Sequence, residues 1–240
     1  MLILFLLFSG LLLLYYGAEW LVDGAASLAK NMGISPLIIG LTIVAYGTSM
    51  PELTVSLQAA IIGSGDISAG NVIGSNIMNI AFILGLSALI RPLKVQLQLL
   101  RFDVPFMIFI SFVLVMFCLN REISRLEALF FIICAIFYTL IIIRISKRER
   151  KDFKERISEE IPEKKYVSTS VFLVISGILF LIVGTSLFLD GAISAARICG
   201  ISEAVIGLTL VALGTSLPEL ATSVVASFKK EGDISVGNIV

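Results

Sequence analysis

One 40-residue segment occurs twice in this chain. Residues 34–73, ISPLIIGLTIVAYGTSMPELTVSLQAAIIGSGDISAGNVI, lie over residues 201–240, ISEAVIGLTLVALGTSLPELATSVVASFKKEGDISVGNIV, without a gap at an offset of 167, and 22 of the 40 positions are identical. The same offset sets Gly17 on Gly184, Asp23 on Asp190, Gly24 on Gly191, Ser27 on Ser194 and Gly33 on Gly200. The fold must therefore be assembled from two like halves. Both copies sit in apolar sequence: 58% of the 240 residues are hydrophobic, 15% are charged, and the mean hydropathy is +1.02. The apolar runs are about 20 residues long, enough for a helix to cross a hydrocarbon core of roughly 30 Å. Lipid offers no partner to a backbone polar group, and the runs lack the ten-residue alternation of a barrel strand, so the spans are helical. The fold class is an all-α integral membrane protein.

The spans read as Leu2–Lys30, Pro36–Gly63, Ser68–Ile90, Phe102–Leu119, Arg125–Arg144, Val171–Arg197 and Ala204–Phe228, with an eighth beginning before Val240. The first has no basic n-region and no small-residue cleavage site, and its pattern recurs in the second copy, so it is kept as a helix of the mature protein. With the first connection on one side, 15 of the 18 Lys and Arg residues fall on that side and only Arg121, Arg125 and Arg197 on the other. By the positive-inside rule the N-terminus is outside and the charged segment 147–167 is a solvated cytoplasmic loop, with a short surface helix as the alternative. Its acidic residues nearly offset its basic ones, which argues against nucleic-acid binding. Five spans, an odd number, separate the two copies, so the second enters the membrane from the opposite face. This divides the chain into a first repeat at 1–146, the loop, and a second repeat at 168–240, an inverted arrangement that places a transport site near the midplane.

The repeated Gly-Thr-Ser-x-Pro-Glu then acquires a physical meaning. Pro51 and Pro218 each remove a helical hydrogen bond and clash with the preceding turn, and Gly47 and Gly214 loosen the same place. Each span is expected to become two half-helices around an unwound segment, 47–51 and 214–218, with carbonyls freed near Ala45 to Thr48 and Ala212 to Thr215. Glu52 and Glu219 follow directly. A carboxylate at the bilayer centre costs about 2.5 to 3.5 kcal/mol, and no cationic residue lies near that depth in either span. A bound cation or a proton must compensate. The chain has no histidine, and the remaining donors are all oxygen: the two carboxylates, the hydroxyls of Thr48, Ser49, Thr215 and Ser216, and the freed carbonyls. Such a set suits hard ions such as Ca²⁺ and Na⁺. Helical spacing adds Asn71, Ser75 and Asn79 from the following span on one face. Ser75 and Asn79 read as ion ligands, while Gly70, Gly74 and Asn71 serve equally as helix-packing residues.

These residues carry a resemblance. GTSMPEL and GTSLPEL, each in an inverted copy and followed by GNVIGSN in the first and GNIV in the second, resemble the two alpha-repeats of the sodium/calcium exchanger family within the cation/calcium exchanger superfamily. The alpha-1 motif would occupy 37–80 and the alpha-2 motif 204–240. The resemblance implies an inverted-repeat antiporter fold of ten transmembrane helices, of which about seven and a half are present, and adding the 167-residue offset to the third, fourth and fifth spans predicts a natural length of roughly 300 to 315 residues. It implies Na⁺/Ca²⁺ antiport by alternating access, with the first and sixth helices sliding as a gate. It assigns Glu52 and Glu219 as ligands of Ca²⁺ that share Na⁺, Thr48, Ser49, Thr215 and Ser216 as hydroxyl or carbonyl donors, Ala45 and Ala212 as carbonyl donors, and Ser75 with Asn79 as the polar pair of the third helix. The partners of that pair would fall near positions 242 and 246. A Ca²⁺/H⁺ or K⁺-dependent exchanger of the same fold is the alternative, and a cation channel is the alternative of another class. No cofactor, enzyme motif or nucleotide-binding loop is expected; the transported ions and the bilayer are the partners, and the expected location is the plasma membrane.

The remaining features read as structural. Cys118, Cys134 and Cys199 are expected to be buried thiols. Asp66 with Ser68, and Asp233 with Ser235, read as helix N-caps. Asp23 and Asp190 are expected to bond helix ends or pair with Lys30 and Arg197. Glu19 has Ser186 as its counterpart and receives no coupling role, and Trp20, Tyr15 and Tyr16 read as packing or interfacial residues.

Overall fold

Every apolar run that falls among the described residues is helical. The computed structural model describes residues 1–120, 122–157, 167–202 and 212–240, with the backbone alone for 147–157 and 212. The start of the seventh span, 204–211, and loop residues 158–166 lie outside that set. In chain order the helices are α1 (Leu2–Met32), α2 (Pro36–Thr48), α3 (Met50–Ile61), α4 (Gly65–Ile90), α5 (Leu99–Asn120), α6 (Arg125–Ile157), α7 (Val167–Ile198), α8 (Ala212–Thr215), α9 (Leu217–Phe228) and α10 (Gly232–Ile239). Helices α1, α4, α5 and α7 and the Arg125–Ser146 part of α6 are each long and apolar enough to cross a membrane, and α2 with α3 forms one span bent by 46°. The charged residues 147–157, expected in a loop, instead continue α6 without a break.

The inverted repeat is visible in the backbone. Gly33 and its counterpart Gly200 end α1 and α7 in the left-handed region, at φ 66° and 76°. In each case the next amide reaches back to a carbonyl five residues earlier, Ile34 to Ala29 and Ile201 to Ala196, both at 3.1 Å. Such a C-cap suits glycine, which has no Cβ to clash. Helices α3 and α9 are both 12 residues long.

The centre of the molecule is the antiparallel contact of α1 with α7. Gly10, Gly17 and Gly24 recur every seven residues on one helix, and Gly177, Gly184 and Gly191 do so on the other. A Cβ on Gly17 would lie 2.9 Å from the Leu181 nitrogen, and one on Gly177 would lie 2.6 Å from the Leu21 nitrogen, so the two backbones touch along this seam. Helices in lipid gain little from apolar burial against each other and associate through close packing of small residues. Leu14, Ala18, Leu21, Val22 and Ala25 of α1 and Val174 and Leu181 of α7 fill the core beside it. Trp20 packs on Phe180 across the same contact, with ring centroids 4.7 Å apart.

A second glycine contact joins the halves. Gly40 in α2 meets Gly237 in α10, where an added Cβ would lie 2.8 Å from the Leu37 carbonyl. The helix after the second motif thus packs on the helix that carries the first.

Three expectations are corrected by this packing. Asp66 and Asp233 are not N-caps: the capping positions are Ser64 and Glu231, and the aspartates sit in the first turn. There Asp233 accepts a hydrogen bond from Gln96 Nε2 at 2.6 Å, and an acid one turn in still faces the positive end of its helix. The cysteines are free, but Cys118 and Cys134 are only half-buried and Cys199 is exposed. Asp23 pairs with Lys229 rather than Lys30, at 2.8 Å, and Glu19 joins at 3.1 Å. This ties α1 to the end of α9 on one face only, because the first-repeat counterpart of Lys229 is Ile62.

Burial of the Lys229 ammonium pulls its pKa down, but hydrogen bonds to Asp23 and Glu19 outweigh this, and the net shift is upward from 10.5. A raised folded-state value stabilises fully below pH 10.5, and that contribution is lost as pH rises through the raised value. Lys229→Met is therefore expected to lower the thermal midpoint of the detergent-solubilised protein at pH 7 and to flatten its decline above pH 10.5. Parallel alkaline curves for the two proteins would show that the tie contributes nothing.

Candidate ion-binding site

The proline motif breaks its helix at a single residue. Ser49 has φ −82° and ψ 9°, and Ser216 has φ −88° and ψ 8°, between helical segments on both sides. The unwound segments 47–51 and 214–218 expected from sequence are therefore each one residue wide. The amide of Ser49 still bonds the Ala45 carbonyl at 3.1 Å, and that of Leu53 bonds the Ser49 carbonyl at 3.1 Å. Continuity on both sides of the break turns it into a bend. The carbonyl of Ala45 is thus already engaged, and it is Gly47 to which Pro51 offers no N–H. A π-helical turn at Gly40–Val44 precedes the bend, and another at Met78–Ile83 contains Asn79. Such turns re-aim side chains and often accompany functional sites.

The bends bring the two copies of the motif face to face. Glu52 is 8% exposed and Glu219 is completely buried. Ser49 Oγ donates to Glu219 Oε1 at 2.9 Å, and its counterpart Ser216 Oγ donates to Glu52 Oε1 at 3.3 Å. Each carboxylate is thus held by the serine of the opposite repeat. Thr48 and Thr215 cross in the same way, the first to Asn238 Oδ1 at 2.9 Å and the second to Asn71 Oδ1 at 3.3 Å. Within its own half, Asn71 donates to the Glu52 carbonyl at 3.1 Å and to Ser56 Oγ at 2.9 Å; Asn238 does the same to the Glu219 carbonyl at 3.2 Å and Ser223 Oγ at 2.9 Å. Four pairs of bonds obey one pseudo-twofold axis.

These contacts leave one oxygen of each carboxylate over. Glu52 Oε2 and Glu219 Oε2 are buried without a hydrogen-bond partner, as is Asn79 Oδ1. A buried acceptor without a donor is costly, and an ionised one more so. A cavity of about 300 Å³ is lined by Glu52 and Asn79 together with, among others, Ala45, Ser49, Ser75 and Asn238. Ser75 reaches this cavity while donating to the Val72 carbonyl at 3.2 Å. Glu219, Thr48, Thr215 and Ser216 do not line it, and the backbone of Ala212 opens the short α8 that carries Thr215. Among the described residues no group of three or more His, Cys, Asp or Glu side chains is placed to hold a metal. The acidic charge is two carboxylates, and every other donor is a neutral oxygen.

Sequence reasoning gave Asn238 no role of its own, and set Asn71 on the site's helix face while leaving packing open as its role. Their equivalence under the 167-residue offset was the available signal, since two buried amides at matched positions imply a shared task.

Residues 2–144 and 169–240 match the family described as sodium/calcium exchanger protein. The chain is 38% identical over 239 residues to the inner membrane protein YrbG of Escherichia coli, covering 98% of this chain and 74% of that one. It is 34% identical over 271 residues to the sodium/calcium exchanger MaX1 of Methanosarcina acetivorans, covering 98% and 77%. Its fold superposes on the sodium-calcium exchanger NCX_Mj soaked with 2.5 mM Na⁺ and 0.1 mM Ca²⁺ with a TM-score of 0.86 at 35% identity, over 100% of this chain and 76% of that one. Two proline-bent glutamate motifs crossed about a pseudo-twofold axis thus coincide with a match over nearly the whole length, and the chain belongs to the sodium/calcium exchanger family of multi-pass membrane transporters.

Proposed function

We propose that this chain carries out the Na⁺/Ca²⁺ exchange of its family at the oxygens gathered around Glu52 and Glu219. The observation that supports this most is the pair of buried Oε2 atoms without a donor. Two carboxylates balance one Ca²⁺, or share several Na⁺, in overlapping oxygen sites. Ser49 and Ser216 add hydroxyl oxygens, and Ser75 with Asn79 adds the cavity wall of α4. Thr48 and Thr215 complete the set, and the backbone carbonyls of Ala45 and Ala212 are assigned as further donors, that of Ala45 through the lone pair left by its bond to the Ser49 amide.

Transport follows from charge. An empty site leaves two bare carboxylates in a low-dielectric interior, whereas an occupied one is neutral enough to pass a dry barrier. Only the compensated site lets α1 and α7 slide as a pair over the bent helices, exposing it first to one side and then to the other. The downhill flow of one ion then drives the other uphill. No step makes or breaks a covalent bond, so the protein acts as a transporter and not as an enzyme. In this reading the first repeat is 1–146 and the second 168–240, the N-terminus faces outside, and 147–167 is cytoplasmic in the cell membrane, as the excess of basic residues on that side requires.

The test is ⁴⁵Ca²⁺ uptake into Na⁺-loaded proteoliposomes, with outside Na⁺, K⁺ and pH varied separately. Uptake is expected to vanish without the Na⁺ gradient and to ignore a proton ionophore. Uptake that follows a pH gradient in the absence of Na⁺ would move the protein to proton-coupled exchange, and an absolute need for K⁺ would add a third ion.

A further inference from the structure

Asn71 and Asn238 each make two hydrogen bonds within their own half and one across it. An amide carries two N–H donors on its nitrogen and accepts only through its oxygen. In Asn238 the nitrogen bonds the Glu219 carbonyl at 3.2 Å and Ser223 Oγ at 2.9 Å. The carbonyl can only accept, so it fixes which end of the amide faces it. The oxygen of Asn238 must then face Thr48 of the other repeat, and at 2.9 Å it has no proton to give. Thr48 has to donate. Its single proton is committed there, and what its oxygen offers to anything else is lone pairs, the form a cation needs.

The alternative is visible at the same residue. The Thr48 hydroxyl lies 3.1 Å from the Val44 carbonyl and 3.3 Å from that of Ala45. Without Asn238 it would turn back to its own helix, the usual bond of a helical threonine. Asn71 makes the mirrored set with the Glu52 carbonyl at 3.1 Å, Ser56 Oγ at 2.9 Å and Thr215 Oγ1 at 3.3 Å. Asn238 is 3% exposed and Asn71 is half-buried, so the second is the more tolerant of substitution.

We infer that Asn71 and Asn238 are positioning residues, each holding the threonine of the opposite repeat as an oxygen acceptor, so that neither half-site is complete without an amide from the other half. This rests on the ion-site reading above. The wiring is crossed: Thr48 depends on Asn238 and not on Asn71, and Thr215 depends on Asn71 and not on Asn238.

Double-mutant cycles on Ca²⁺ uptake by the full chain in proteoliposomes test this, with KM and maximal rate read separately and folding checked by monodisperse elution. Thr48→Val and Asn238→Ala are each expected to raise the KM for Ca²⁺ about three- to tenfold, as loss of one hydrogen bond to a ligand would. Together they should raise it no further than the larger single change, whereas Thr48→Val with Asn71→Ala should multiply. Crossed and uncrossed pairs that behave alike, or a Thr48→Val protein with unchanged KM, would overturn the inference. If Asn238→Ala does not fold, the cycle of Thr215→Val with Asn71→Ala decides by the same criterion. Multiplying cycles in a protein whose uptake still requires Glu219 would remove the positioning role and keep the site; uptake that survives Glu219→Gln would remove the site itself.

Discussion

Glu219→Gln is expected to reduce Na⁺-dependent ⁴⁵Ca²⁺ uptake at least about 100-fold while leaving the protein folded. The substitution keeps the shape of the side chain and an acceptor for Ser49, whose hydroxyl lies 2.9 Å from Oε1. It removes one of the two charges. Ca²⁺ with Glu52 alone would leave an uncompensated positive charge where Glu219 is now completely buried. Removing one partner of a buried ionic pair costs about 3 to 5 kcal/mol, and every 1.4 kcal/mol is a factor of ten in affinity. Glu52→Gln should have an effect of the same order, since the pseudo-twofold axis gives the two carboxylates matched surroundings. Uptake that persisted in Glu219→Gln, in a monodisperse preparation, would show that the two glutamates do not hold the transported ion.

The other large effect is expected at the α1–α7 seam. Gly177→Leu places a branched side chain where even a Cβ would lie 2.6 Å from the Leu21 nitrogen and 2.8 Å from the Gly17 carbonyl. Neither atom belongs to a flexible side chain, so the helices must separate, and the small-residue contact that holds them in lipid is lost. Gly177→Ala should already lower the thermal midpoint, since overpacking a close contact costs about 1 to 3 kcal/mol, and Gly177→Leu should abolish stable folding or uptake. Gly85→Ala is the matched control, because nothing lies within 4 Å of the Cβ it adds. Equal midpoints for Gly177→Ala and Gly85→Ala would mean that the backbones of α1 and α7 do not touch in the membrane.

Much of this architecture was legible because the information is periodic. Helix length, the proline bends and the existence of two halves all follow from local chemistry repeated at a fixed offset. The offset also carries Ala45, Thr48, Ser49, Glu52 and Asn71 onto Ala212, Thr215, Ser216, Glu219 and Asn238. What it does not carry is contact between halves. Nothing in the sequence says that Ser49 should reach Glu219 rather than Glu52, because equivalence under a repeat is a statement about environment and not about distance. The width of the break was overread for a related reason: proline removes one hydrogen bond, and the helix absorbs that loss at Ser49 while Ala45 and Leu53 keep the bonds on either side. Asn71 looked like one more polar residue on a packing face, and only the bond from Thr215 gives it a partner across the axis. The Lys229 tie was hidden because it breaks the symmetry, with Ile62 in the matching place.

The seam and the site are built differently for a physical reason. Glycine contacts between α1 and α7 are non-directional close packing that holds the pair together as one body, while Lys229 with Asp23 and Glu19 is a directional tie from that pair to the end of α9. The site residues at the two bends are joined to each other and to Asn71 of α4 and Asn238 of α10 by directional hydrogen bonds that fix their oxygens.

The most direct measurement is equilibrium ⁴⁵Ca²⁺ binding to the purified full chain at rising Na⁺, with ionic strength held constant by choline. If both ions use the oxygens around Glu52 and Glu219, the apparent Kd for Ca²⁺ rises with Na⁺, more steeply than in proportion because several Na⁺ replace one Ca²⁺, and the number of Ca²⁺ bound at saturation stays the same. A Ca²⁺ affinity that ignores Na⁺ would contradict a shared site and place the two ions on separate paths.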